Sequence, residues 1–271
     1  MALVRKALGL VQAFPTSRTP PSDLLKLIRQ LYPIDPGLPL IRLGPDGDGG
    51  YLVPDDLEGI EACFSPGVSH TSGFEQDCSR RGMRVFLADA SVDKPAISDV
   101  NFAFIKQHIG AVSIPPFTTL ESWAGSACPG PGDLLLQMDI EGSEYETLLS
   151  APDALLRRFR IIVIEFHDLE LLWSRPWYGL VSRAFEKLLQ THVCVHNHPN
   201  NGFKPFKMGK LAIPSLLEMT FLRRDRLKKS TPVLRFPHPL DRDNTPHPSY
   251  SLPDCWYQHS LPAASNQSTG A

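Results

Sequence analysis

The sequence predicts an α/β fold of the Rossmann-like, doubly wound type: a mostly parallel seven-stranded sheet with helices on both faces. Short apolar segments alternate with amphipathic helical segments between residues 60 and 222, as in parallel strands joined by right-handed crossovers. The segment 160–166 is almost entirely apolar and rich in isoleucine, which is typical of a strand buried on both faces of a sheet. None of the 26 prolines lies inside a proposed strand, so proline marks the boundaries of the predicted core.

Each element follows from its local pattern of apolar residues and breakers. Seven strands are predicted, the last of them antiparallel, at 60–65, 83–88, 102–105, 133–138, 160–166, 192–195 and 217–222. Helices are predicted over 22–31, 71–81, 118–124, 142–149 and 169–189. Pro176 marks the point where the last of these helices could kink.

The distribution of proline divides the chain into three parts. Eight prolines lie in the first 58 residues and seven after residue 230. We therefore expect an N-terminal helical and hairpin extension over 1–58, with a short strand at 51–53, and a folded core over 59–225. Residues 226–271 are expected to form a Pro-rich extended arm and a disordered tail.

Charge and cysteine content exclude some classes of function. The chain carries 27 Lys and Arg against 29 Asp and Glu, whereas a nucleic-acid-binding domain usually has a basic excess. Five cysteines, an odd number without a C-x-x-C pair, argue against a disulfide framework and favour a reducing compartment, so we expect a cytoplasmic protein. No apolar run reaches 18 residues, so no membrane span is expected.

Polar and ionisable residues follow the predicted strands. Because ligands of open α/β sheets bind beyond the carboxyl ends of the strands, these residues are expected to converge on one site. Asp89 follows the second strand, about twenty residues after a glycine-containing turn, which suits a carboxylate that binds the ribose of a nucleoside cofactor. A role as a helix N-cap fits Asp89 equally well. The first turn, residues 65–73, lacks the G-x-G-x-x-G pattern, which argues against NAD and FAD but not against S-adenosylmethionine.

The segment LLLQMDIEGSEYETLL (134–149) resembles the D-I-E-G-x-E segment of the FkbM-type methyltransferases, a branch of the class I S-adenosylmethionine-dependent methyltransferases. Further segments are similar to the same family in chain order, including GDGGY (47–51), IVIEFH (162–167), VHNHPNN (195–201) and IPSLLEMTFLRR (213–224). The resemblance covers roughly residues 44–250.

The resemblance implies that S-adenosylmethionine is the cofactor and that methyl transfer is the reaction. The cofactor-binding residues that it implies are Ser65, Gly67, Ser69, Glu75, Asp89 and Asp139. Among them, Asp89 would hold the ribose, Glu75 would fix the first turn or contact the amino group, and Asp139 would lie near the sulfonium. It also suggests a sugar or another small hydroxyl compound, or a glycan, as the acceptor for O-methylation.

An oxygen nucleophile must lose a proton during the reaction, and His167 is the favoured base because the pKa of free histidine lies near neutrality. Glu141 is the alternative base, and Asp139 completes the predicted catalytic set. Residues expected to contact the acceptor are His196, His198 and Asn201, although a buried structural role fits His196 equally well.

Two other interpretations remain open. Four residues could hold a divalent ion, namely Asp139, Glu165, His167 and His196, and such an ion is compatible with methyl transfer. The same acids and histidines could instead serve a metal-dependent hydrolase. The chain could also be a non-catalytic member of the methyltransferase fold that acts as a binding module.

Overall fold

A computed structural model describes residues 16–68 and 71–260. The described residues form fifteen strands, which in chain order are β1 (Ile34–Asp35), β2 (Leu40–Leu43), β3 (Tyr51–Pro54), β4 (Ala62–Pro66), β5 (Arg84–Ala88), β6 (Phe102–Ile105), β7 (His108–Gly110), β8 (Phe117–Thr119), β9 (Leu134–Met138), β10 (Phe159–Phe166), β11 (His192–Pro199), β12 (Phe206–Met208), β13 (Leu211–Ile213), β14 (Leu217–Arg223) and β15 (Thr231–Pro232). The α-helices of the same residues are α1 (Pro21–Gln30), α2 (Gly73–Arg80), α3 (Leu120–Ala127), α4 (Glu144–Ser150), α5 (Asp153–Leu156) and α6 (Arg175–Leu188).

Seven strands form the central sheet in the order β11-β14-β10-β9-β4-β5-β6. The neighbouring strands from β10 to β6 pair in parallel, and β14 is antiparallel to both β10 and β11. The order reverses direction between β4 and β9, which is the switch point where α/β folds of this type bind their ligands. The predicted Rossmann-like fold with an antiparallel last strand is confirmed.

Two apolar layers cover the sheet. Helices α1 and α3 to α6 pack on one face through buried side chains that include Leu24, Trp123, Tyr145, Leu155 and Phe185. The hairpin β2–β3 and helix α2 cover the other face, where the Thr220 hydroxyl donates to the Leu52 carbonyl at 2.6 Å. The N-terminal hairpin is thus an integral part of the fold, because its apolar side chains pack in the same core as those of the central sheet.

Two core strands extend past their predicted ends as far as a proline. Strand β4 ends at Pro66 and strand β11 continues to Pro199, so two prolines lie in core strands of the structure although none lies in a strand as predicted. Both prolines occupy the last position of a strand, where the missing N–H does not interrupt the ladder. Strand β11 also contains an irregularity between Cys194 and His196.

The helix predicted over 169–189 is two separate elements. A 3₁₀ helix spans Leu169–Trp173, and α6 begins at Arg175 after an extended Ser174. The backbone N–H of Arg175 donates to Ser17, and the carbonyl of Trp173 accepts from Thr19. The helix is therefore interrupted where its backbone pairs with residues 17–19. Pro176 lies in the first turn of α6, where proline is tolerated, and does not kink a longer helix.

The residues after β14 cross the sheet edge next to β11. Strand β15 pairs with β1, and the fully buried Trp256 donates to the Ala212 carbonyl at 3.0 Å. The predicted disordered tail, from about residue 260, and residues 1–15 lie outside the described residues. No helix of the described segments is long and apolar enough to cross a bilayer.

Candidate functional site

Three cavities adjoin one another at the carboxyl ends of the central strands. We name them after one residue in each: the Asp89 cavity (about 290 Å³), the His167 cavity (about 450 Å³) and the small Glu75 cavity (about 20 Å³). Asp139, directly after β9, lines all three. A group bound in one cavity can therefore meet a group bound in another beside this carboxylate.

The Asp89 cavity combines a buried carboxylate with an apolar wall. Asp89 accepts the N–H of Val68 at 3.0 Å on one oxygen and the N–H of Ser91 at 2.7 Å on the other. Each carboxylate oxygen has a further lone pair, so the same group can also accept from a ligand. The wall residues include Ile109, Phe117 and Ile140 together with the half-exposed His108.

Most of this wall was not predicted from the sequence. Its residues His108, Ile109 and Phe117 belong to β7 and β8, two three-residue strands that pair with each other outside the central sheet. Segments this short carry no readable periodicity, although the aromatic Phe117 next to a helix start was an available signal.

Gly67 brings the ends of two strands into contact. Its φ is +89°, and a Cβ at this position would lie 1.5 Å from the carbonyl oxygen of Asp139. The N–H of Asp139 in turn donates to the Pro66 carbonyl at 3.2 Å. Only glycine fits this approach, so the predicted importance of Gly67 has a backbone cause. Ser69 lies outside the described residues.

The Glu75 cavity contains a buried polar cluster. Ser65 is fully buried, and its hydroxyl lies 2.6 Å from Glu75 Oε1 and 2.7 Å from Gln137 Oε1. Burial raises the pKa of Glu75. The turn after β2 supplies Asp48 and Gly49 to the same cavity, so the GDGGY segment contributes directly to the site.

The turn after β9 holds His167. Glu144 is fully buried, and its Oε1 accepts the N–H groups of Ile140 and Gly142 and lies 3.0 Å from His167 Nδ1. Glu141, with a left-handed φ of 54°, reaches to 3.4 Å from His167 Nε2. A non-glycine residue in this conformation is strained, and such strain is common at functional sites.

The titration of Asp139 and His167 is set by burial and by each other. Burial raises the pKa of Asp139 to about 6, against the opposing effect of His167. Burial alone would lower the pKa of His167, but the hydrogen bond and charge of Glu144, with Glu165 and Asp139, raise it to about 9. At neutral pH the imidazole is therefore a cation, and Asp139 is mostly an anion.

A group of three predicted site residues could hold a cation. Asp139, Glu141 and His167 each present a ligand atom within 4.8 Å of the others. Oxygen and imidazole donors of this kind suit a first-row divalent ion. Glu165 lines the same cavity, with one oxygen 2.7 Å from Asn200 Nδ2.

The remaining predicted residues face the C-terminal arm. His196 Nε2 lies 2.9 Å from Asp241, and His198 Nδ1 lies 3.7 Å from the same carboxylate. Asn201 donates to the carbonyls of Thr245 and His247. His196 does not belong to the group of possible metal ligands formed by Asp139, Glu141 and His167. Its Nε2 is instead in hydrogen-bond contact with Asp241.

The residues predicted on or after β11 to contact the acceptor do not line the His167 cavity, but some of their neighbours do. Asn200, Phe203, Ser215 and Leu216 line this cavity, whereas His196, His198 and Asn201 do not. The prediction placed His196, His198 and Asn201 by their position after a strand of four residues. Strand β11 is eight residues long, so they lie within it or immediately after it, under the arm.

Comparison with known protein families places a match on this part of the chain. Residues 112–191 match the family model of the methyltransferase FkbM domain. No curated protein matches the chain significantly. The matched segment runs from the loop before β8 to the residue before β11 and includes the turn after β9. The predicted resemblance to the FkbM-type methyltransferases is thus confirmed over the segment that carries Asp139, Glu141 and His167.

Proposed function

We propose that the protein transfers a methyl group from S-adenosylmethionine to a hydroxyl oxygen of a small molecule or a glycan. The observation that carries this proposal is the position of Asp139 in the walls of three adjoining cavities. One of its oxygens, Oδ1, is buried and has no hydrogen-bond partner among the described residues. A buried acceptor left free in this way requires a partner such as a ligand, an ion or an ordered water, and its place in the walls of the cavities favours a ligand.

The residues present fit the cofactor. Asp89 would bind the ribose hydroxyls, and the apolar wall of the Asp89 cavity would pack on the planar base. Glu75 and Asp48 offer carboxylates to the amino group at the other end, with Gly67 between the two regions and Ser69 as a further proposed contact. When bound, S-adenosylmethionine supplies a methyl group activated by its positively charged sulfur.

The chain's own task is to align the acceptor and to remove its proton. Asp139 is the proposed base, because a carboxylate with a pKa of about 6 is mostly ionised at neutral pH. His167, protonated and held by Glu144, donates a hydrogen bond to the acceptor oxygen in this scheme. This assignment differs from the sequence-based preference for His167 as the base, and Glu141 remains the second candidate.

A divalent ion at Asp139, Glu141 and His167 would orient and acidify the acceptor hydroxyl. His167 would have to lose its proton to ligate, so metal affinity should increase with pH. Thermal unfolding of the protein with and without Mg²⁺ or Mn²⁺ tests this possibility apart from activity. A rise in the unfolding temperature that is lost in Glu141→Gln supports the ion, and an unchanged temperature argues against it.

A methyl-transfer assay tests the proposed function. Tritiated S-adenosylmethionine is incubated with the protein and a panel of sugars, glycans and other hydroxyl compounds. We expect incorporation into at least one acceptor and a loss of about 100-fold or more in Asp139→Asn. The matched control, Asp55→Asn, changes an exposed acid outside the cavities and should retain activity. Equal activity in Asp139→Asn would exclude Asp139 as the base.

A further inference from the structure

A short hairpin beside the His167 cavity exposes apolar and basic side chains together. We call residues 203–210, which contain β12 and the turn into β13, the Phe–Lys hairpin. Strand β12 pairs only with β13, the strand that follows the turn, and the two belong to no other sheet. Phe203 is 59% exposed and Phe206 is 46% exposed, although large aromatic side chains are normally buried.

The charge of this hairpin has one sign. Lys204, Lys207 and Lys210 are all exposed, and no acidic residue occurs between Pro199 and Leu217. The three positive charges stand out in a chain whose net charge is −2. A surface that covers this hairpin must therefore be both apolar and negatively charged.

We propose that the Phe–Lys hairpin docks the protein on an anionic membrane surface. Aromatic rings that enter the boundary between headgroups and acyl chains gain apolar contact, while lysine stems extend to keep their ammonium groups at the headgroups. The segment Phe203-Lys204-Pro205-Phe206-Lys207 places both kinds of group close together in the chain. This pattern matches a lipid surface better than a protein surface, since protein interfaces are depleted in lysine.

Docking of the hairpin would also place the His167 cavity against the membrane surface. Phe203 lines the His167 cavity, so a membrane in contact with this ring would lie at the mouth of that cavity. The acceptor would then be a hydroxyl compound carried at the membrane surface. This identification of the acceptor rests on the proposed function, whereas the docking of the hairpin is independent of it.

Two carboxylates that line the His167 cavity oppose the attraction between the hairpin lysines and anionic lipids. The side chains of Glu141 and Asp168 are exposed and line the cavity that Phe203 lines. Because these carboxylates repel anionic lipids, the lysines alone are insufficient and the two phenylalanines must contribute. Binding should therefore weaken with added salt without disappearing.

Sedimentation with vesicles tests the docking on the full chain. We expect binding to vesicles of phosphatidylcholine with about 30% phosphatidylserine, and at least about tenfold weaker binding to phosphatidylcholine alone. Replacing all three lysines by glutamine should weaken binding about 100-fold, at roughly fivefold per lysine. The double variant Phe203→Ser/Phe206→Ser should weaken it about tenfold or more.

Two matched variants control for general effects. Val100→Ser removes an apolar side chain that is 98% exposed elsewhere, and Lys26→Gln/Lys94→Gln removes exposed lysines outside the hairpin. Both should bind vesicles as the wild type does. In Phe203→Trp, insertion should shift the added indole emission to the blue.

Absence of wild-type binding to the anionic vesicles at low salt would overturn the inference, as would equal losses in the control variants. Attachment of the hairpin to a protein without any vesicle binding would overturn it as well. Titration of S-adenosylhomocysteine into the same samples separates the two proposals. Binding to vesicles without binding of S-adenosylhomocysteine would refute only the proposed function. Binding of S-adenosylhomocysteine without binding to vesicles would refute only the docking.

Discussion

At the scale of single residues, the proposed chemistry depends on Asp139 and His167. Their ionisation is coupled, since each lies in the electrostatic field of the other and both side chains are partly buried. Asp139 Oδ1 lies 3.8 Å from His167 Nε2, and in the proposed function the acceptor oxygen would hydrogen-bond to both groups. The buried carboxylate of Glu144 keeps the imidazole oriented and charged.

This arrangement predicts a bell-shaped pH dependence of kcat/KM. Activity should rise as Asp139 loses its proton through about pH 6 and fall as His167 loses its proton through about pH 9. Glu144→Gln removes the charge but keeps an oxygen for the N–H groups of Ile140 and Gly142, so it should lower the upper limb by about 1–2 pH units. An upper limb that does not move would assign it to another group.

The sequence identified this pair because both residues directly follow apolar strands. It could not reveal the direction in which their pKa values shift. That direction depends on Glu144, whose side chain turns back from helix α4 onto the ring, and on the burial of both groups. The preference for His167 as the base rested on the pKa of free histidine, which does not apply beside three carboxylates.

At the scale of elements, the site depends on where strands β4 and β9 end. The seven strands of the central sheet were predictable because buried parallel strands read as apolar runs between breakers. The division of the helix at Ser174 and the extra length of β11 were not, because contacts with residues distant in the sequence cause both. The cavity wall formed by β7 and β8 was not predicted because strands of three residues are too short to show a period in their apolar residues.

The close approach of β4 to β9 predicts a large effect for Gly67→Ala. The added Cβ would collide with the Asp139 carbonyl at 1.5 Å in a left-handed conformation, which should cost about 3 kcal/mol or more of unfolding free energy. The control Gly82→Ala has a similar φ of +84° and no atom within 4 Å of the new Cβ. It should cost only about 1 kcal/mol. Equal losses in urea unfolding would show that strain, and not the approach to Asp139, decides the cost.

At the scale of the whole molecule, the C-terminal arm is attached to the sheet by buried polar contacts. Burial would raise the pKa of Asp241, but its contacts with His196 and His198 hold that pKa well below its usual range. Asn244 donates to Glu218, which burial places at a pKa of about 7. The proline-rich composition indicated an extended arm, but not that it would bind the histidines predicted to contact the acceptor.

Asp241→Asn tests this structural assignment of the two histidines. Loss of the buried charge should lower the unfolding free energy by about 3 kcal/mol and leave the affinity for S-adenosylhomocysteine within about twofold. Thermal unfolding and calorimetric titration measure the two quantities. Asp243→Asn, an exposed acid of the same arm, should change neither. Unchanged stability together with an altered acceptor KM would return His196 and His198 to the acceptor site.

Calorimetric titration of S-adenosylhomocysteine into the full chain tests the central claim most directly. We expect saturable binding at one site, weakened about tenfold or more in Asp89→Ala, because a charge-assisted hydrogen bond to the ribose would be lost. Asp93→Ala, an exposed acid four residues away, should bind as the wild type does. Absence of binding by the folded wild-type protein would contradict the assignment of these cavities to a methyl-donor cofactor.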